Sequence, residues 1–340
     1  MNKRIEIAPE VFDEHMQPEY INGDWLKQQP ETVYRIDRKG HRYYYTISED
    51  GEPTFYISVT TFIKQSLPTS PYLIKWMIEN GDESKDIAEE RALYGTFLHI
   101  QAGELLQNAS YDLDSLVGKL ELYMEKHHLP YSFRSNADEL KRDVLAFAQF
   151  VIEKNVVPIA IEILLTDKER GLAGAIDLVC EMDVEVKVLT NEVFKSGPRK
   201  GQKKEGKEIQ RKVAIVDLKS GRKGFFESAE IQLHQYKRMW EVNFPDIKID
   251  DIFNWSPKAW TGATPTYNLK SQIKAKSAKK LDHLVAIAQI EDSGKNNSLT
   301  ICHGVITIAD GLYNNIEYME LAELVKKRHE PLDMNDTKDK

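Results

Sequence analysis

The chain has 340 residues, 41% of them hydrophobic and 29% charged, with a formal net charge of −8. That length allows one large domain with appendages or two modest ones, and the acidic total argues against nonspecific polyanion binding by the protein as a whole. The two cysteines, Cys180 and Cys302, exclude a disulfide framework and any four-cysteine metal or iron–sulfur site, and they fit a reducing compartment.

The opening MNKRIEIAPEVFDEHM holds no apolar core of signal-peptide length. The longest apolar run, VVPIAIEILL, contains a glutamate and is too short to cross a bilayer. A soluble cytoplasmic protein with no membrane partner is expected.

In chain order, residues 33–46 and 53–60 are rich in aromatic and β-branched side chains and flank SEDGE, which predicts a β-hairpin. Tyr43, Tyr44 and Tyr45 could stack on bases, but packing within the hairpin is the simpler role. Helices are predicted over 71–80, ended by Gly81, over 86–107, and over 136–155. The pattern then turns to strands at 157–166, at 172–180 with a continuation through 183–194, and at 212–219. FKSGPRKGQKKEGKEIQRK lacks periodicity and reads as an exposed basic loop or hairpin tip. A helix over 228–242 follows, with Ser228 as N-cap and Glu230 in its first turn, then a strand at 250–256 and a lysine-rich helix over 270–290. The last ten residues read as a frayed tail. The order helix, three strands, helix, strand predicts an α/β core around one mostly central sheet.

The stretch VAIVDLKSG poses the functional question. Four apolar residues run into Asp217, Leu218 and Lys219 and then a turn. Strand alternation puts 213, 215, 217 and 219 on one face, so the apolar side of the strand ends in two opposite charges. Seven other acid-x-lysine triplets occur in the chain, and any one alone reads as a solvated face. Asp177 also ends an apolar run, in GLAGAID. If those strands are neighbours, two carboxylates converge beside a lysine, and they stay ionised together only with a cation. A hard divalent ion with oxygen ligands fits, because it can clamp a phosphate and acidify a water.

The ordered set Gly174-x-x-Asp177, Asp217-Leu218-Lys219 and Gln232-x-x-x-Tyr236 resembles the PD-(D/E)XK nuclease superfamily, and more narrowly its RecB-like and phage exonuclease branch. Gly95-Thr96-Phe97-Leu98-His99 matches that branch's upstream histidine, Glu162 its first-strand glutamate, and Phe253-Asn254-Trp255-Ser256-Pro257 its Asn-x-Ser-Pro-like strand. The resemblance covers roughly 90–290. It implies a restriction-endonuclease-like αβββαβ core with a central mixed sheet flanked by helices and an N-terminal β-hairpin and helical extension. The implied layout is an extension over 1–85, a nuclease core over 86–290 with a basic insertion at 195–212, and a C-terminal strand, helix and tail over 291–340. His99, Asp177, Asp217 and the Leu218 carbonyl would hold Mg2+ or Mn2+, with Glu162 a possible addition. Lys219 would be the catalytic lysine, and Gln232 and Tyr236 would hold the scissile phosphate or DNA end.

The implied activity is hydrolysis of DNA to 5′-phosphate and 3′-hydroxyl products in phage DNA processing, recombination or repair, in a bacterial or phage-infected cell. The substrate would be linear duplex or single-stranded DNA, and a single-strand annealing or recombination protein would be a partner. No GxxxxGK[ST] loop occurs, so no nucleotide cofactor is expected.

Two other readings stay open: a structure-specific or restriction-like endonuclease, and an inactive DNA-binding or assembly module. A rival alignment pairs Asp177 with Glu185 and Lys187, but CEMDVEVKVLTNE alternates charge with valine as a solvent-facing strand would. From 195 to 223, eleven basic residues face three acidic ones. Within that span Lys200, Lys203, Lys204, Lys207, Arg211, Arg222 and Lys223 are the candidate phosphate contacts beside the active site.

Overall fold

A computed structural model describes residues 11–13, 26–38, 41–222, 224–262, 264–294 and 312–329. It is an α/β protein whose mixed sheet is flanked by helices on both faces. The strands are β1 (Val11–Asp13), β2 (Tyr34–Arg38), β3 (His41–Ile47), β4 (Pro53–Ser58), β5 (Val157–Asp167), β6 (Leu172–Val193), β7 (Lys203–Leu218), β8 (Asp251–Pro257) and β9 (Tyr267–Ser271). The helices are α1 (Val59–Ser66), α2 (Pro71–Asn80), α3 (Ser84–Asn108), α4 (Leu116–Lys126), α5 (Ala137–Glu153), α6 (Glu227–Asn243), α7 (Ala275–Gly294) and α8 (Leu312–His329).

The predicted order from 136 to 256 is present as α5, β5, β6, β7, α6, β8. The sheet runs β1-β2-β3-β4-β6-β7-β8-β9, with β5 on the other edge of β6. Contacts β4–β6 and β7–β8 are parallel and the remaining pairings antiparallel. One helical layer sets Phe97 and Leu98 of α3 and Phe147 and Phe150 of α5 against Leu178, Val216 and Trp255. The opposite layer sets Phe62 of α1, Met239 and Trp240 of α6 and Leu281 of α7 against Ile163, Ile176, Ile215 and Ile252.

The route of β6 creates the site. Leu172 and Ala173 pair with β4 on one edge, and from Leu178 onward that same edge pairs with β7. Between them, 174–177 have no ladder partner on that side, so the sheet forks there. Asp177 lies at the fork and Leu218 ends β7 beside it.

Several sequence expectations are corrected. The strand expected through residue 60 stops at Ser58, because Val59, Phe62 and Ile63 share the buried face of α1. Ser228 lies inside the first turn of α6 rather than capping it; Phe226 holds the cap position and makes no side-chain cap bond. The helix expected from 270 begins at Ala275, after the unpredicted β9. The exposed hairpin tip expected of the basic segment is present at 195–202, where β6 turns into β7, but the rest of the segment is no loop. Residues 203–212 continue β7 and ladder against β6 as a long two-stranded ribbon. Its alternation is masked in the sequence because both faces are solvated and charge, rather than apolarity, pairs the strands. The helix at 312–329 is present, whereas the strand expected in the C-terminal segment, Cys302, Lys223 and the frayed tail lie outside the described residues. Among those described, no helix is long and apolar enough to cross a membrane.

Candidate active site

Helix α3 delivers His99. Its sequence is rich in Ala, Glu and Leu, good helix formers, and its core stripe includes Tyr94, Phe97, Leu98, Gln101 and Leu105. His99 flanks that stripe and reaches the end of β7. A Cβ built on Gly95 would stand 3.1 Å from Ser220 Oγ, so a glycine lets α3 approach the turn after Lys219.

Strand β5 delivers Glu162 through an unusual backbone. Ile161 pairs with Leu178 and Ile163 with Ile176, which sets Glu162 opposite Asp177. Glu162 has φ +48°, the left-handed region, where a non-glycine residue costs roughly 1–2 kcal/mol. Such strain persists where surrounding structure enforces it, and it concentrates at working sites.

These residues converge. His99 Nδ1 is 3.1 Å from Glu162 Oε1 and 3.6 Å from Asp177 Oδ1, while Nε2 is 3.2 Å from the Leu218 carbonyl oxygen. The Leu218 N–H donates to Asp177 Oδ2 at 2.7 Å, so the fork's freed backbone donor is satisfied by the acid. One ligand atom from each of His99, Glu162 and Asp177 lies within 4.8 Å of the others.

The electrostatics mark a cluster short of positive charge. Burial pushes the Asp177 carboxyl above its usual range; His99 pulls it back, and Glu162 adds to the rise. Burial alone would lower His99, but the Asp177 charge and the Glu162 hydrogen bond raise it to about 9. Two carboxylates, an imidazole and a backbone carbonyl make an oxygen-rich donor set with one nitrogen. That set could hold a divalent cation.

Asp217, a metal ligand by the resemblance, is held in a buried polar network beside the cluster. It is 1% exposed, and its carboxylate meets Lys219 Nζ at 3.0 Å and 2.9 Å and accepts from Asn254 Nδ2 at 2.7 Å. Burial raises its pKa to about 6, against the pull of Lys219. Lys219 Nζ also donates to Gln232 Oε1 at 3.3 Å, and Gln232 Nε2 donates to Tyr236 OH at 2.7 Å. Gln232 and Tyr236, four residues apart on α6, face the same way. Gly174 faces that tyrosine: a Cβ there would stand 3.0 Å from Tyr236 Cε1. Burial would lower the Lys219 pKa, but Asp217 and Asp177 outweigh it, so the head group remains an ammonium.

Two residues of this network carried no assigned role in the sequence. Asn254 sits in β8, which is buried throughout, and a lone amide in such a strand is the signal that marks it. Gln272 donates to Asn254 Oδ1 at 2.9 Å from just past β9, with no motif around it.

The remaining candidates lie elsewhere. Glu185 and Lys187 are exposed on the ribbon, paired with Lys207 at 2.7 Å and Glu205 at 3.4 Å. Glu185 is eight residues beyond Asp177 along β6, about 26 Å away. Lys204 pairs with Glu192 at 3.0 Å, and Arg211 with Glu181 at 3.4 Å and Asp183 at 3.2 Å. Arg222 binds Glu139 at 3.0 Å and the buried Asp143 at 2.5 Å, a structural ion pair. Lys200 and Lys203 are exposed at the ribbon tip and near it, not beside the cluster.

No protein-family model matches the chain, and no curated protein matches it in sequence.

Proposed function

We propose that the protein is a metal-dependent DNA nuclease with a restriction-endonuclease-like core of the RecB-like kind, acting on DNA ends as an exonuclease. The observation that carries this reading is the convergence of His99, Glu162, Asp177 and the Leu218 carbonyl at one fork of the sheet, beside the Asp217–Lys219–Gln232–Tyr236 chain.

Asp177, Glu162, His99 and the Leu218 carbonyl would hold Mg2+ or Mn2+, with Asp217 behind them. When bound, the ion supplies charge to a phosphate oxygen and acidifies a water. The chain's own groups do the rest. Lys219 stays an ammonium because its carboxylate neighbours outweigh burial, so it orients the nucleophile and balances negative charge gained by the phosphate, rather than removing a proton. Asp217 and Gln232 fix the position of that ammonium. Tyr236, whose pKa burial drives well above the usual phenol range, remains a neutral donor toward a phosphate or base. Products would be a 5′-phosphate and a 3′-hydroxyl.

The test is nucleotide release from linear duplex, linear single-stranded and closed circular DNA with Mg2+ or Mn2+, comparing wild type with Lys219→Ala and Asp217→Ala. Release from linear DNA only, lost in both variants, supports an exonuclease. Cutting of the closed circle makes it an endonuclease, and equal behaviour of all three proteins rejects the nuclease reading.

A further inference from the structure

We propose that the outer halves of β6 and β7 form a DNA-gripping arm, whose tip binds the phosphate backbone of a duplex far from the cleavage centre. The inference takes its substrate from the nuclease reading.

The first observation is position. β7 runs from Lys203 to Leu218, so Lys203 lies fourteen residues before Asp217, about 46 Å along the strand. The basic segment therefore stands at the far end of the sheet from the His99 cluster. Past Met182 no ribbon residue of β6 is fully buried, and a two-stranded ribbon alone in water is marginal.

Charge is then divided along the arm. Stem cations are matched across the ladder by carboxylates: Lys187 by Glu205, Lys204 by Glu192, Lys207 by Glu185, and Arg211 by Glu181 and Asp183. The tip differs. Residues 194–203 read FKSGPRKGQK, with Lys195, Arg199, Lys200 and Lys203 and no acid. All four are exposed, and none has a carboxylate partner among the described residues. Arg199 lies over the Phe194 ring at 5.0 Å, which holds its guanidinium in place.

A protein partner would call for apolar anchors, and the tip offers only Pro198 and Phe194, whose ring lies under Arg199. Unpaired cations on a narrow projection in a protein of net charge −8 suit a polyanion backbone. The spacing adds a consequence. A duplex shorter than about 14 base pairs, held at the cleavage centre, is too short to meet the tip as well.

The experiment is fluorescence anisotropy of a labelled 40-base-pair duplex in EDTA across a KCl series, with light scattering on the same proteins. Wild type is compared with the quadruple variant Lys195→Gln, Arg199→Gln, Lys200→Gln, Lys203→Gln, and with the stem control Lys207→Gln. The arm predicts at least a tenfold affinity loss in the quadruple variant at low salt and a log–log salt slope shallower by about 3. The stem control should leave the slope unchanged, where a phosphate-contacting lysine would reduce it by about 1. Equal affinity and slope in wild type and quadruple variant overturn the proposal, as does a changed oligomeric state with unchanged DNA binding. Because EDTA excludes cleavage, the two readings fail separately. A wild type that binds through the tip yet never cuts with Mn2+ refutes the nuclease and keeps the arm. One that cuts but is indifferent to the tip does the reverse.

Discussion

Asn254 Nδ2 donates to Asp217 Oδ2 at 2.7 Å, with both residues out of contact with water. Gln272 Nε2 in turn donates to Asn254 Oδ1 at 2.9 Å, so the amide cannot turn without losing a bond at each end. The Asp217 carboxylate is thereby held toward Lys219. Replacing Asn254 with Ala strands the buried Gln272 donor, leaves Asp217 Oδ2 with Lys219 alone, and should cost about 1–3 kcal/mol of stability. Lys219 would also lose its fixed partner geometry. Denaturant unfolding together with kcat and KM checks this: a structural role alone lowers stability and leaves kcat, whereas a role in holding Asp217 toward Lys219 predicts a loss in kcat as well.

His99 ties metal affinity to pH. Its pKa is raised to about 9 in the metal-free protein, so at pH 7 it carries a proton that an incoming ion must displace. Calorimetry in buffers of different ionisation enthalpy should find roughly one proton released per Mn2+ at pH 7. Apparent affinity should climb as pH rises toward 9, and His99→Ala should abolish the release. The same shift sets a stability trend without metal. A folded pKa above the unfolded 6.5 stabilises the fold at lower pH, and that contribution is lost as pH rises through about 9.

Gly174 is dictated by Tyr236. An alanine Cβ there would stand 3.0 Å from a ring carbon with no flexible end to give way. Gly174→Ala should destabilise by about 1–3 kcal/mol, and Tyr236→Leu should relieve part of that cost. Chemical denaturation of both single variants and the double variant measures the coupling; strict additivity would contradict the contact.

Arg222 separates structural from DNA-binding cations. Its partner Asp143 is 1% exposed and also accepts from Tyr94 OH at 2.6 Å. Removing the guanidinium leaves a buried carboxylate poorly compensated, so Arg222→Ala should cost about 3–5 kcal/mol. The salt dependence of DNA binding should not change. Burial raises Asp143 to about 6, against its hydrogen bond to Tyr94 and the pull of Arg222. Its contribution to stability is therefore full below the unfolded 3.8 and lost as pH rises through about 6. Asp143→Asn should flatten the unfolding curve across that window.

Much of this could be read from the sequence, and the exceptions have physical causes. The element order around the fork follows from apolar periodicity, and Asp177 and the Asp217–Lys219 pair stand out as charges ending apolar runs, whereas Gln232 and Tyr236 are marked only by the resemblance. The ribbon was hidden because Lys207 and Glu185 pair by charge, which leaves no apolar alternation to read. Glu162 faces Asp177 through a left-handed backbone at one residue, and nothing in its neighbours' identities announces that. Gln272 joins the site only because β9 pairs with β8, a long-range contact made by a five-residue strand. The bond from Asn254 to Asp217 joins β8 to β7 across 37 residues of chain, a contact that neither strand's own pattern announces.

The central claim is that the fork of β6 and β7 is a divalent-metal site, and one measurement tests it most directly. Anomalous diffraction from crystals grown with Mn2+ locates the ion without assuming any activity. The account predicts a single strong peak bound by Asp177, Glu162, His99 and the Leu218 carbonyl, at about 2.0–2.3 Å, with Lys219 alongside. A peak elsewhere, or none at the fork with Mn2+ in excess, would contradict it.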